Sequence, residues 1–196
     1  MKVNEIFYSL QGEGYHSGEA AVFVRLSGCN LQCPFCDTQH ESGTEMSEAE
    51  IVKAVMQWPA RLVVVTGGEP SLQLTATLVD SLHDAGKYVA VETNGTHHLP
   101  ENVDWVTLSP KSAYVADAEV VLTHADEIKV VYDGEHDPEK QLSTFNFQLS
   151  PLTFLQPMDC GDAMHNAEII RATVEYIQWH PQWRLSLQIH KILNIK

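Results

Sequence analysis

Three cysteines crowd into eight residues directly after a short apolar run, and this arrangement constrains the chain more than any other feature. Ala21–Leu26 (A-V-F-V-R-L) has the β-branched, apolar character of a strand, and it runs into Cys29-Asn30-Leu31-Gln32-Cys33-Pro34-Phe35-Cys36, a C-x3-C-x2-C spacing. Three thiolates so spaced can hold three corners of an iron–sulfur cube from one loop. The fourth iron is then left without a loop cysteine, unlike the all-cysteine clusters of ferredoxins, which only carry electrons. A metal site with an open position is the arrangement of a catalytic centre. A zinc site that borrows His40 or Cys160 as fourth ligand is the competing reading, because Cys36-x3-His40 has usable spacing.

The rest of the chain alternates strand-like and helix-like runs. Strands are expected at Leu62–Thr66, Tyr88–Glu92, Trp105–Leu108, Ile128–Tyr132, Thr153–Leu155 and Leu185–Ile189. Ser47-Glu48-Ala49-Glu50 is a capping-box signature that opens a helix stopped at Pro59. A second helix is expected through Leu72–Ala85, ending at Gly86 as a C′ glycine, and a third over about Ala163–Trp179. Such alternation predicts a parallel α/β sheet. A closed eightfold barrel needs about 250 residues; a chain of 196 fits a partial, open barrel in one domain spanning 1–196. No repeat, low-complexity stretch or linker divides it.

Charge narrows the partners. Twelve Lys and Arg stand against 26 Asp and Glu, a net −14, and no basic cluster appears. Nucleic acid and anionic membrane partners are therefore not expected. No apolar run approaches the roughly 20 residues of a membrane span. The N-terminal residues lack the profile of a signal peptide, so a cytoplasmic location is expected. In such a setting clustered cysteines point to a metal rather than to disulfides. A small anionic ligand stays compatible with the negative charge, since one buried Arg can hold a carboxylate.

The cysteine loop, with Phe35 directly before its last cysteine and with Thr66-Gly67-Gly68-Glu69-Pro70 after the next strand, resembles the radical S-adenosylmethionine (SAM) superfamily. The resemblance implies a [4Fe–4S] cluster on Cys29, Cys33 and Cys36, with SAM chelating the open iron. Gly67 and Gly68, lacking Cβ, would let main-chain polar groups approach the methionine end of SAM.

Within that superfamily the chain is similar to the 7-carboxy-7-deazaguanine synthase family along nearly its whole length. The likeness rests on Glu5–Gly14 (E-I-F-Y-S-L-Q-G-E-G), Cys36-Asp37-Thr38, Glu92-Thr93-Asn94-Gly95, Ser109-Pro110-Lys111, Gln156-Pro157-Met158-Asp159, Trp183–Lys191 and Leu193-Asn194-Ile195. It implies a Mg2+-assisted radical ring contraction of 6-carboxy-5,6,7,8-tetrahydropterin to 7-carboxy-7-deazaguanine, with loss of ammonia, in 7-deazapurine (queuosine) biosynthesis. The initiating hydrogen abstraction and its reversal would belong to the cofactor-held radical, with no catalytic side chain beyond it.

Several site assignments follow from this resemblance. Thr38 is expected on Mg2+, a hard-oxygen donor for a hard cation. Leu10, Gln11, Gly12, Glu13, Arg25, Thr66, His190 and Lys196 are expected on the pterin. Arg25 suits the pterin carboxylate, and Lys196 would contribute its main-chain carboxylate. Gly68, Glu92, Asn94, Ser109, Pro110, Lys111, Gln156, Pro157, Met158 and Asp159 are expected on SAM. The family further implies a homodimer and a flavodoxin or ferredoxin-type electron donor. Cys160 matches no motif and is read as a packing residue; His97, His98 and His136 are read as loop residues. Two alternatives remain at this point. A glycyl-radical activase would share the cysteines and T-G-G-E-P but not L-Q-G-E-G or the tail, and a non-enzymatic iron–sulfur or zinc module would not cleave SAM.

Overall fold

The computed structural model describes residues 1–142 and 152–196. Among the described residues nine strands form one sheet in the order β3-β1-β2-β4-β5-β6-β7-β8-β9. β1 (Lys2–Leu10) lies antiparallel to β2 (Ala20–Leu26) and to the short β3 (Thr44–Glu45). From β2 onward, β4 (Leu62–Gly67), β5 (Tyr88–Thr93), β6 (Trp105–Leu108), β7 (Glu127–Tyr132), β8 (Leu152–Pro157) and β9 (Arg184–Leu185) are parallel neighbours. The sheet does not close, in keeping with the partial barrel that the chain length implies.

The helices follow their caps. Ser47 and Glu50 exchange the two hydrogen bonds of a capping box, starting α1 (Glu48–Val55). The stretch expected as one helix from Leu72 is broken: a 3₁₀ turn covers Pro70–Leu72, and α2 (Ala76–Asp84) starts afresh with the Thr75 hydroxyl accepting from Leu78 N–H. Gly86 takes φ +77° past its end, as a C′ residue does. A five-residue α3 (Pro138–Leu142) precedes the long α4 (Ala163–Trp179), capped by Asp162.

At the N-terminal end no element is expected from the sequence, and at the C-terminal end the outcome differs from the expectation. The N-terminal motif is a nine-residue strand. The expected last strand, Leu185–Ile189, shrinks to Arg184–Leu185, and Ile189–Leu193 forms a short helix, α5. The reason lies in the partners available. Ser186 still donates its N–H to Leu155 O, but the next main-chain donors turn inward, where Ile189 N–H meets Gly12 O at 3.1 Å.

Strand alternation divides the sheet into two faces. Val22, Val24, Leu26, Val63, Val65, Val89 and Val91 pack against Ile51, Val55, Leu78 and Leu82 of α1 and α2. Val106, Leu108, Ile128, Val130 and Leu155 form a second cluster with Trp183 and, on α4, Tyr176. On the other face the first layer is apolar (Ala21, Phe23, Leu62, Val64, Ala90) and the layer above it turns polar: Arg25, Thr66, Glu92, Lys129 and Gln156. The open side of that face is spanned by loop and tail. Gly14 N–H donates to Ser186 Oγ at 3.1 Å, and Ser9 Oγ donates to the Lys196 main-chain oxygen at 2.5 Å.

Candidate active site

The polar layer and the cysteine loop face one cavity of about 740 Å³. Cys29 and Cys33 are half-buried and Cys36 is exposed, and all three border it. A short turn with Cys36 N–H on Cys33 O shapes the loop, and Gly28 N–H on His40 O closes it. Burial pushes the Cys29 and Cys33 thiols up.

Gly67, the last residue of β4, and Gly68 after it are needed for packing as well. A Cβ on Gly67, at φ +138°, would sit 2.0 Å from Leu26 O; one on Gly68 would sit 1.9 Å from Gly28 O and 3.0 Å from Cys29 Cβ. Their backbone lies directly against the thiol loop, a cradle that any side chain would fill. The next residue, Glu69, is 1% exposed and accepts hydrogen bonds from Ser71 N–H, Thr93 Oγ1 and Asn94 N–H. It thereby ties the turn after β4 to the turn after β5. Asn94 Nδ2 completes the link by donating to Asn30 Oδ1 in the cysteine loop at 3.1 Å.

Among the described residues no three His, Cys, Asp or Glu side chains converge to hold a single metal ion. His40 enters the loop through its carbonyl, and its Nδ1 has no partner. Cys160 is exposed, with Sγ on Asn166 Oδ1 at 3.0 Å. Neither completes a zinc site. Three separated thiols beside a backbone cradle fit a cluster open at one iron.

The residues expected on the pterin gather at the polar layer. Gln11 Nε2 donates to Glu92 Oε1 at 3.0 Å and Thr66 Oγ1 to Glu92 Oε2 at 3.1 Å. Glu92, expected among the SAM residues, is thus bonded to two of the pterin-side residues. Its carboxyl is held below the usual range: burial opposes ionisation, but Lys129 and the donors of Gln11 and Thr66 prevail. Arg25 Nε donates to Glu5 Oε1 at 3.1 Å, and its guanidinium lies over the Phe7 ring. Lys196 Nζ reaches Glu5 Oε2 at 2.5 Å. His190 packs on Gly12 so closely that a Cβ there would lie 2.4 Å from its Nδ1. Leu10, Gly12, Glu13, His190 and Lys196 all border the cavity.

The residues expected on SAM border the same cavity beside the thiols, except Pro110, which is buried behind the wall between Ser109 and Lys111. Lys111 Nζ donates to Ser109 Oγ at 2.5 Å, and burial lowers its pKa to about 8. Gln156 accepts from Ser186 Oγ at 2.9 Å. Pro157, Met158 and Asp159 continue the wall. The Asp159 carboxyl, pulled down to about 2 chiefly by Lys191, shares that ammonium with Asp37 at 2.8 Å each. Thr38 follows Asp37, its hydroxyl 3.5 Å from Asp37 Oδ1.

Four residues of the site escape the sequence reading as functional groups: Lys129, Glu69, Gln188 and Lys191. Lys129 had a readable signal, a lysine inside the otherwise apolar I-K-V-V-Y run. The other three stand within recognised motifs, but only the fold shows what they bridge.

Comparison with known proteins bears on the same residues. The radical SAM superfamily model matches residues 23–143. A 7-carboxy-7-deazaguanine synthase of Bacteroides thetaiotaomicron is 51% identical over 195 residues, covering 100% of this chain and 98% of the relative. One from Burkholderia multivorans is 41% identical, covering 98% of each. The crystal structure of QueE from Escherichia coli superposes with a TM-score of 0.79 at 30% identity, covering 95% of this chain and 92% of that one. The chain belongs to the 7-carboxy-7-deazaguanine synthase family of the radical SAM superfamily.

Proposed function

We propose that the chain converts 6-carboxy-5,6,7,8-tetrahydropterin to 7-carboxy-7-deazaguanine with release of ammonia. The observation that carries this reading is the polar layer of the sheet, which sets a cationic residue, Arg25, and a carboxylate cluster, Glu13 and Glu92, around one cavity beside three thiols. A carboxypterin has the matching polarity: an anionic substituent at one end and a donor-rich aminopyrimidinone edge at the other.

Cys29, Cys33 and Cys36 would hold the [4Fe–4S] cluster, with Gly68, Asn94, Ser109, Lys111 and Gln156–Asp159 around SAM. When bound, cluster and SAM supply one-electron initiation of a radical reaction. The chain's own residues bind, orient and exclude water. Arg25, aligned by Glu5, faces the pterin carboxylate with a planar pair of donors. Glu13, Glu92 and Gln11 face the opposite edge. Beneath them Phe7 and Phe23 border the cavity with apolar surface, backed by Val64 and Ala90, which keeps water from a reactive intermediate. Thr38, with Asp37 beside it, offers the hard oxygens that Mg2+ takes alongside substrate oxygens. The tail brings His190 against Gly12 and Lys196 against Ser9 and Glu5 of β1, covering the substrate from the open side. No described helix is long and apolar enough to cross a membrane.

A homodimer and a flavodoxin or ferredoxin-type donor are the family's implications for assembly and electron supply, and the single continuous sheet supports treating residues 1–196 as one domain. The test is anaerobic incubation of the reconstituted enzyme with SAM, a reductant and 6-carboxytetrahydropterin. Formation of 7-carboxy-7-deazaguanine with stoichiometric ammonia is expected; SAM cleavage without that product would refute the substrate assignment.

A further inference from the structure

Lys129 has no part in the roles assigned so far. It stands midway along β7, 5% exposed, in a strand whose six residues are all buried. Its Nζ pairs with Glu13 and reaches Glu92 Oε1 at 3.4 Å. Each carboxylate is otherwise met by neutral donors: Glu13 by Gln188 Nε2 at 3.1 Å, Glu92 by Gln11 and Thr66. The other ionic groups near the trio are engaged elsewhere. Glu127 accepts from Tyr15 N–H and Thr107 Oγ1, and Lys111 donates to Ser109.

One ammonium between two carboxylates leaves an excess of one negative charge at the cavity wall. Such a trio is a poor stabilising device, because desolvating ions costs several kcal/mol each and well-packed apolar residues often do as well or better. It makes sense where a bound molecule supplies the missing donors. Glu13 and Glu92 together accept five hydrogen bonds from four groups, fewer than two ionised carboxylates can take.

We propose that Lys129 is a positioning residue for the substrate: it holds Glu13 and Glu92 side by side as acceptors for the N–H groups of the aminopyrimidinone edge. The inference rests on the pterin reading and adds the element that orders its acceptor end. It links β7 to the 11–13 loop and β5, so it also explains why a loop from one side of the sheet sits so firmly over the other.

The test combines Lys129→Met, Glu13→Gln and the double variant in the reconstituted enzyme, each measured for pterin KM, kcat, SAM dissociation constant and iron and sulfide content. Loss of a charge-assisted contact predicts a pterin KM raised about tenfold or more in Lys129→Met. kcat should fall less, and SAM affinity and cluster content should stay as in wild type, the signature of lost substrate binding. Because Lys129 acts in part through Glu13, the double variant should raise KM by clearly less than the product of the two single effects. It also removes one charge of each sign, which leaves the buried charge balance unchanged should Lys129→Met alone fail to fold. An unchanged KM, a parallel loss of SAM affinity, or multiplicative effects in the double variant would overturn the inference. Absence of pterin turnover in the wild type would instead refute the functional reading beneath it.

Discussion

The same strands carry two different chemistries on their two faces. Toward the helices β2, β4 and β5 present Val22, Val24, Val63, Val65, Val89 and Val91, a wall of β-branched residues sealed by α1 and α2. Toward the cavity they present Phe23 then Arg25, Val64 then Thr66, Ala90 then Glu92. The pleat alternates sides by one residue, so Val65 and Thr66 are adjacent in sequence and belong to opposite functions. The helix face stays apolar from Val22, Val63 and Val89 through Val24, Val65 and Val91. The cavity face changes character along the strand, apolar at the floor and polar near the C-terminal ends. Stability and reaction are thus written in alternating residues of one segment, and the reactive layer is confined to the end where the thiol loop emerges.

That division can be broken most severely at the thiol loop. Replacing Cys29, Cys33 or Cys36 singly by Ala should abolish SAM cleavage, a loss of at least about a thousandfold given how much of the barrier the cofactor removes. Far-UV circular dichroism should stay near wild type, because the loop lies outside the helix-side core. Cys160→Ala should leave the cluster's absorption and iron content unchanged; loss of the cluster there would show that a ligand lies beyond the loop.

Gly68→Ala should come next. The added methyl meets main-chain atoms of Gly28 and the Cys29 Cβ rather than the far end of a flexible side chain. Overpacking of this kind costs about 1–3 kcal/mol, and iron content after reconstitution should fall with it. Full cluster loading with native SAM affinity would mean that the loop can move away and that the cradle is not required.

A smaller and more selective effect is expected at the tail. Deleting Asn194–Lys196 removes the Lys196 contacts to Ser9 and Glu5. The pterin KM should rise about tenfold, as for loss of a charge-assisted contact, with SAM binding retained. If thermal stability falls while KM is unchanged, the tail only closes the fold. Thr38→Ala should have the mildest effect, reducing the stimulation of turnover by Mg2+ while cluster content stays intact. Undiminished metal dependence would remove Thr38 from the ion's surroundings.

Much of this was legible in the chain because its signals are local. The capping box at Ser47, the C′ glycine at position 86 and the apolar runs of the parallel strands each encode their own geometry within a few residues. The motifs also marked the cavity wall well: of the residues expected at the site, only Pro110 stands back from it. What sequence reading lost depends on distant partners. Leu185–Ile189 alternates like a strand, but its donors are captured by loop 12, which lies some 175 residues away in the chain, so it ends early. The place of Glu92 at a strand end is legible in the sequence, but its bonds to Gln11 and Thr66 join segments that only the fold brings together. Lys129 is intelligible only once Glu13 and Glu92 are known to flank it.

The most direct test of the two-face account is the neighbouring pair Val65→Ala and Thr66→Ala, compared for melting temperature and for pterin kcat/KM. Val65→Ala removes fully buried apolar volume on the helix side, and should cost about 2 kcal/mol. That corresponds to a Tm lower by about 4–8 °C in a chain of this size, with kcat/KM near wild type. Thr66→Ala removes the hydroxyl that supports Glu92, so kcat/KM should fall about tenfold while Tm moves little. Crossed effects of this kind would support the account, and parallel losses of stability and activity in both variants would contradict it.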